Sequence, residues 1–288
     1  MKGEPYFEGW YCKCRSCDGR SLALIPAYHK TAAGTVSASL QVITEGRSWW
    51  IPISPDQFEV SQTPWRVRVG NSVLSLAGLS LDLQEEDLNL QGTLRFGPIS
   101  PLQSPIMGPF RFLPRMECSH SVLSMSHPLT GTLSLNGEKI RFTGGSGYLE
   151  SDRGHSFPQS YLWTQCSWSG CSLMLALASI PLLGFSFTGC ICAILLHGRE
   201  LRLATYKGVQ IKQWTPEKVE LRQGKLRLCV ELLHCEPLPL RAPVSGNMNR
   251  IVRESLRSSV RCRLWENGTL LFDQINSSAG FESDLSDV

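Results

Sequence analysis

With 288 residues, 42% of them hydrophobic and 18% charged, and a formal charge of +3, the chain can bury two ordinary cores or one large one. Its lysines and arginines are scattered along apolar segments instead of gathered in a basic block, which removes nucleic acid from the expected partners. Eleven cysteines are an odd number, and Met1 to Tyr11 lacks an apolar signal-peptide core, so a reduced, cytoplasmic chain is expected.

In chain order the pattern is one strand after another. Glu8–Lys13 and Ser21–Tyr28 are followed by a hairpin of Val36–Thr44 and Ser48–Ile53 around Glu45-Gly46-Arg47. Trp65–Val69 and Ser72–Leu76 flank Gly70-Asn71, and Leu79–Leu83 and Leu88–Phe96 continue the meander. Prolines and glycines between Gly97 and Pro114 predict a long irregular connection, crossing one side of a barrel or leading between halves. Strands resume at Ser121–Met125 and Gly131–Leu135, turn at Asn136-Gly137, and return along Lys139–Thr143. Gly144–Gly147 then breaks the pattern.

The second half repeats the style with Tyr161–Ser167, Glu200–Tyr206, Val209–Trp214, Val219–Arg222 and Lys225–Leu232. The run Cys171 to His197 is long and apolar enough for a bilayer. Pro181, Gly184 and Gly189 divide it into Ser172–Ser179 and Ser186–Leu196, which favours a buried strand pair over a membrane helix. A polar bend from Pro237 to Arg250 precedes Ser258–Trp265, a turn at Asn267-Gly268, and Thr269–Gln274, with a frayed acidic tail after Glu282. Short strands with turns every eight to twelve residues or so predict an all-β chain of barrels or sandwiches.

The densest run of ionisable and aromatic residues lies from Gly147 to Cys166. On an extended strand Tyr148, Glu150 and Asp152 share one face, while Leu149, Ser151 and Arg153 share the other. Two carboxylates about 7 Å apart in an apolar site can hold one acid protonated near neutral pH. Elsewhere, Cys12, Cys14 and Cys17 lack the further cysteines or histidines that a metal site requires, so strand thiols are expected there.

Five ordered blocks carry a resemblance. Glu150, Gly154, Phe157, Pro158 and Trp163 resemble the Glu-Lys-Asn/Asp-Trp-Gly-x-x-Phe-Pro segment and following aromatic strand of the tocopherol cyclase family. Phe7-Glu8-Gly9-Trp10-Tyr11-Cys12-Lys13 is similar to that family's Phe-Glu-Gly-Trp-Tyr-Phe-Lys. Leu240-Arg241-Ala242-Pro243 and Leu264-Trp265-Glu266, then Ala279-Gly280-Phe281-Glu282, resemble further blocks in the same order. Ser151 and Arg153 depart from it, standing where relatives carry lysine and tryptophan. The resemblance implies two tandem lipocalin-like antiparallel β-barrels, divided at the glycine-rich break into residues 1–145 and 146–288. It also implies cyclisation of a prenylated quinol through protonation of an alkene, or hydration as in the more distant carotenoid hydratases, with no cofactor and no metal.

Such chemistry needs a long apolar cavity, a protonated acid and an electron-rich wall. Asp152 is assigned as proton donor and Glu150 as its orienting neighbour; solvated strand residues are the plainer reading. Around them Glu8, Trp10, Tyr148, Arg153, Trp163, Gln165, Glu117 and His120 form the expected substrate-binding set. An Arg153 guanidinium in the cavity would repel a carbocation. Glu117 and His120 fall on opposite faces if their segment is straight. The expected ligand is an apolar isoprenoid or prenyl quinol, with no integral membrane span and with peripheral membrane contact left open. A non-catalytic carrier of a prenyl lipid, and a filled two-barrel interaction module, are the competing readings.

Overall fold

Period-two alternation carries most of the chain into antiparallel strands. The computed structural model describes residues 3–113, 116–182 and 185–285. The first meander is β1 (Tyr6–Arg15), β2 (Ser21–Lys30), β3 (Val36–Thr44) and β4 (Ser48–Ile53). A second comprises β5 (Phe58–Gln62), β6 (Trp65–Val69), β7 (Ser72–Ser75), β8 (Gly78–Glu85) and β9 (Leu88–Phe96). With β10 (Cys118–Leu135), β11 (Glu138–Arg141) and β12 (Ser146–Gly154) they make one 12-stranded sheet, in which β12 joins the two meanders by pairing with β1 and β10.

The remaining strands make a 10-stranded sheet. They are β13 (Tyr161–Trp168), β14 (Cys171–Leu182), β15 (Phe185–Leu196), β16 (Arg199–Ala204) and β17 (Gln210–Trp214), then β18 (Lys218–Gln223), β19 (Leu226–His234), β20 (Leu238–Val244), β21 (Asn247–Glu266) and β22 (Thr269–Asp284). The chain is thus all-β, in two large antiparallel sheets. The change of sheet falls between Gly154 and Tyr161, not at the Gly144–Gly147 break, because β12 completes the first sheet.

Several expected boundaries move. The two strands expected around Ser121–Met125 and Gly131–Leu135 are one strand, β10, whose irregularities between Val122 and His127 bend it from β12 onto β9. The bend expected from Pro237 to Arg250 is instead β20, a turn at Ser245-Gly246 with positive φ at both residues, and the start of β21. Pro239 and Pro243 obscured that strand, but β20 pairs only with β21, so half its N–H groups have no ladder to serve. Strand β22 extends to Asp284. Its extension leaves the expected frayed tail largely to residues 286–288, outside the described residues, as are Pro114 and Gly184. The apolar run forms the antiparallel pair β14–β15. Among the described residues no helix is long and apolar enough to cross a membrane.

Three apolar clusters follow from the alternation. Trp10, Cys12, Leu90 and Leu149 belong to one on the first sheet, and Leu162, Cys166, Leu228 and Phe281 to one on the second. Each fully buried leucine there contributes about 2 kcal/mol. The third cluster, including Tyr11, Tyr148, Tyr161 and Trp163, lies between the sheets on the opposite faces of the same strands. Strands such as β1 and β13 are therefore buried on both sides over most of their length.

The connection after β9 fixes the second sheet against the first. Arg202 donates to the carbonyls of Ser104 and Pro105 and pairs with Glu200, while Tyr206 donates its hydroxyl to the Ile106 carbonyl. Gly108 has φ +52°, and a Cβ there would lie 2.6 Å from the Tyr206 ring, so only glycine fits.

Candidate active site

A cleft of about 190 Å³ lies between the two sheets. Phe7, Tyr11, Met107, Phe110, Phe157 and Trp163 give it an apolar, largely aromatic wall. The expected cavity is inside a barrel; this cleft lies instead between the sheets, on the strand faces opposite the first two clusters.

The carboxylates of β12 border the cleft as the alternation predicts. Asp152 lies opposite His120 across the β10–β12 ladder, and His120 Nδ1 is 2.9 Å from Asp152 Oδ1. The other ring nitrogen lies 3.2 Å from Glu150 Oε2. That oxygen also accepts the Tyr148 hydroxyl and, at 3.2 Å, the Trp163 indole N–H. Burial opposes a charge on His120, but Asp152 and then Glu150 outweigh it and hold its pKa well above the usual histidine value. The imidazolium has two N–H donors and no acceptor, which matches a carboxylate on each side. The Cys118 thiol donates to Asp152 as well, at 3.3 Å, and burial, then Asp152, push its pKa well up.

His120, Glu150 and Asp152 also form the one trio among the described residues whose ligand atoms lie close enough to hold a metal ion. His120 Nδ1 hydrogen-bonds Asp152, while Nε2 lies 3.2 Å from Glu150 without hydrogen-bond alignment, so the arrangement is that of an ion pair between one imidazole and two carboxylates, and an ion would have to displace it.

Other expected site residues are dispersed. Glu117 borders the cleft together with His120, because it precedes β10 in a segment that is not straight. Burial raises its pKa, partly offset by His155. Tyr148 sits behind Glu150, fully buried. Gln165 lies beneath the cleft, accepting from Lys13 Nζ at 3.2 Å. Burial lowers the Lys13 pKa to about 8. Trp10 reaches the cleft margin, yet its ring stacks on Phe58 in the first sheet's own core, with centroids 6.4 Å apart. Glu8 is half-buried and accepts the Tyr6 hydroxyl at 2.9 Å, off the cleft. Arg153 is corrected most clearly: it is exposed, on the face of β12 away from the carboxylates, and no guanidinium from it enters the cleft.

Polar residues of the cleft that the expected site set lacks include Tyr11, Tyr161, Glu254 and Glu282, with Gln41 and Arg241 elsewhere on the lining. Tyr11 donates to Glu254 at 2.5 Å across the sheets, and Tyr161 donates to Glu282. Tyr11 and Trp163 meet edge to face at 5.1 Å. Glu254 is hidden from a sequence reading that begins its strand at Ser258, because irregularities between Ser255 and Val260 interrupt the alternation and switch the face that even-numbered residues present.

A family model described as "Tocopherol cyclase-like" matches residues 85–284. No curated protein matches the chain. Among solved structures, CghA in complex with Sch210972 aligns over 99% of this chain and 90% of its own, with a TM-score of 0.61 at 12% identity. Kievitone hydratase from Nectria haematococca aligns over 99% and 90%, with a TM-score of 0.55 at 12% identity. At these identities the likeness is one of fold.

Proposed function

Because the chain belongs to the tocopherol cyclase-like family, we propose that it takes an apolar isoprenoid or prenyl quinol into the cleft and protonates a carbon–carbon double bond there. A hydroxyl of the same molecule, or water, then closes on the cation, giving cyclisation or hydration. In this reading each sheet is a lipocalin-like unit, and the ligand lies between the two units instead of within either.

The observation that carries the reading is an ion-paired proton-handling group set into an otherwise apolar wall: Asp152 and Glu150 on either side of His120. Glu150 is the orienting member, since one of its oxygens faces Tyr148, Trp163 and His120 at once. Asp152 is freer, with its side chain 22% exposed, and with His120 it forms the pair that exchanges protons. The rings of Tyr11 and Trp163 offer electron-rich surfaces to a developing cation. Ser151 and Arg153, where the sequence departs from the family pattern, do not border the cleft, so neither bears on the chemistry directly. The kievitone hydratase likeness in fold is consistent with addition of water as one outcome.

The test is incubation with a panel of prenyl quinols and linear isoprenoids in deuterated water, followed by mass spectrometry of products and of ligand retained by the protein. An isomer carrying one new carbon-bound deuterium supports cyclisation, and addition of water supports hydration. Retention of unchanged ligand, with no product across the panel, would replace the enzyme by a carrier.

A further inference from the structure

Glu254 and Glu282 sit opposite each other across the β21–β22 ladder, and both border the cleft. They are 1% and 8% exposed. Among the described residues no cation forms an ion pair with either; each accepts a tyrosine hydroxyl instead. A buried carboxylate without a cation costs several kcal/mol to keep ionised, so such groups are held neutral. The cleft thus has unlike walls: carboxylates bridged by an imidazole on the first sheet, and uncompensated acids on the second.

Building on the function proposed above, we infer that Glu282 delivers the proton to the bound double bond, and that Asp152 receives the one released when oxygen closes on the cation. Glu282 is favoured over Glu254 by alignment. It lies in register with Trp163 on β13, and the Trp163 indole reaches across to Glu150. Glu254 is turned to Tyr11 and feels Lys13.

The groups around Glu282 are Tyr161 on β13, Glu254 on β21, Glu150 and Asp152 on β12, and Asp284 on its own strand, which Arg250 engages. Burial, then Asp152, Glu150 and Asp284, push its pKa up to about 8.

The step balances. The Glu282 O–H bond breaks as the alkene π pair forms a C–H bond, leaving a carboxylate and a tertiary cation. An oxygen lone pair forms the C–O bond, and the proton it loses passes to Asp152. One proton enters the substrate and one leaves, so cyclisation yields an isomer and hydration adds one water. Exchange at the partly exposed Asp152 returns the proton to Glu282.

Infrared titration reads the carbonyl stretch of protonated carboxylic acids and needs no substrate. Wild type is expected to show such a band at pH 7, part of which disappears in E282Q; a wild-type spectrum lacking it at pH 7 overturns the inference. With a substrate that wild type converts, E282Q is expected to slow turnover about 1,000-fold while ligand is still retained, and E282D to restore part of the rate. An E282Q rate equal to wild type removes Glu282 from the step but leaves the proposed function standing. No conversion by wild type, with the band still lost in E282Q, overturns the proposed function and the proton-transfer step with it, while the neutral acid stands.

Discussion

His120 lies opposite Asp152 across the β10–β12 ladder, with Nδ1 2.9 Å from Oδ1, and its other ring nitrogen faces Glu150 at 3.2 Å. One imidazolium thereby compensates two carboxylates at the edge of an apolar cleft. His120→Gln removes that charge and is expected to cost about 3 kcal/mol, as breaking buried ion pairs does. A histidine whose folded pKa is raised contributes stability fully below its unfolded value, about 6.5, and loses it as pH rises through the folded value. Urea unfolding of wild type should therefore weaken on the alkaline side, and His120→Gln should flatten that limb. Equal stability at every pH would dissolve the ion pair.

Asp152→Asn keeps the shape of the wall and removes the proton-exchanging carboxylate. Turnover is expected to fall by about 100-fold or more, with apolar-ligand affinity nearly unchanged. The two parameters separate in steady-state kinetics beside equilibrium binding, and an unaltered rate would take Asp152 out of the mechanism.

Glu254 and Glu282 each have a pKa raised to about 8 from an ordinary 4.5. An acid raised in the folded state stabilises fully below the unfolded value, and that contribution is lost as pH climbs through the folded one. Wild type should lose stability between about pH 4.5 and 8, and Glu282→Gln or Glu254→Gln should each reduce the slope. Variants that reproduce the wild-type slope in thermal unfolding would show these acids to be ionised already.

Gly280 leaves room for Trp163. A Cβ at that position would lie 2.9 Å from the indole ring atoms. Gly280→Ala should push the ring into the cleft and weaken binding of an apolar probe about tenfold, equivalent to about 1.4 kcal/mol. Tryptophan fluorescence titration reads the change directly, and unchanged affinity would mean that the ligand avoids this wall.

The buried Arg202 pairs with Glu200 and holds the connection at Ser104 and Pro105. Arg202→Met leaves Glu200 buried without its cation and should cost about 3 kcal/mol. Hydrogen exchange over the connection carrying Met107 and Phe110 should accelerate. Exchange at the wild-type rate would show that other contacts position this part of the wall.

Much of the fold was legible because alternation is a local property. The shared face of Tyr148, Glu150 and Asp152 follows from strand geometry alone, and the β14–β15 pair follows from Pro181 and Gly189 within an apolar run. Which face of a strand meets which core is not local. The face of β12 bearing Glu150 could line a barrel or the space between two sheets, and only the packing of β13 and β21 against it decides the matter. For the same reason Arg153, next to the cleft residue Asp152 in sequence but on the opposite face of the strand, is expected in a cavity it does not enter. Glu282 stood within a resembling block, but its burial beside Tyr161 and Glu254 arises from three strands that are distant in sequence.

The most direct test of the account is where an apolar ligand binds. A photoreactive prenyl quinol, cross-linked to the native protein and mapped by peptide mass spectrometry, should label cleft residues such as Tyr11, Met107 and Trp163, with unlabelled prenyl quinol competing. Saturable labelling of Leu90 or Leu228, inside either sheet, would place the ligand in a barrel interior and contradict a site built between the two sheets.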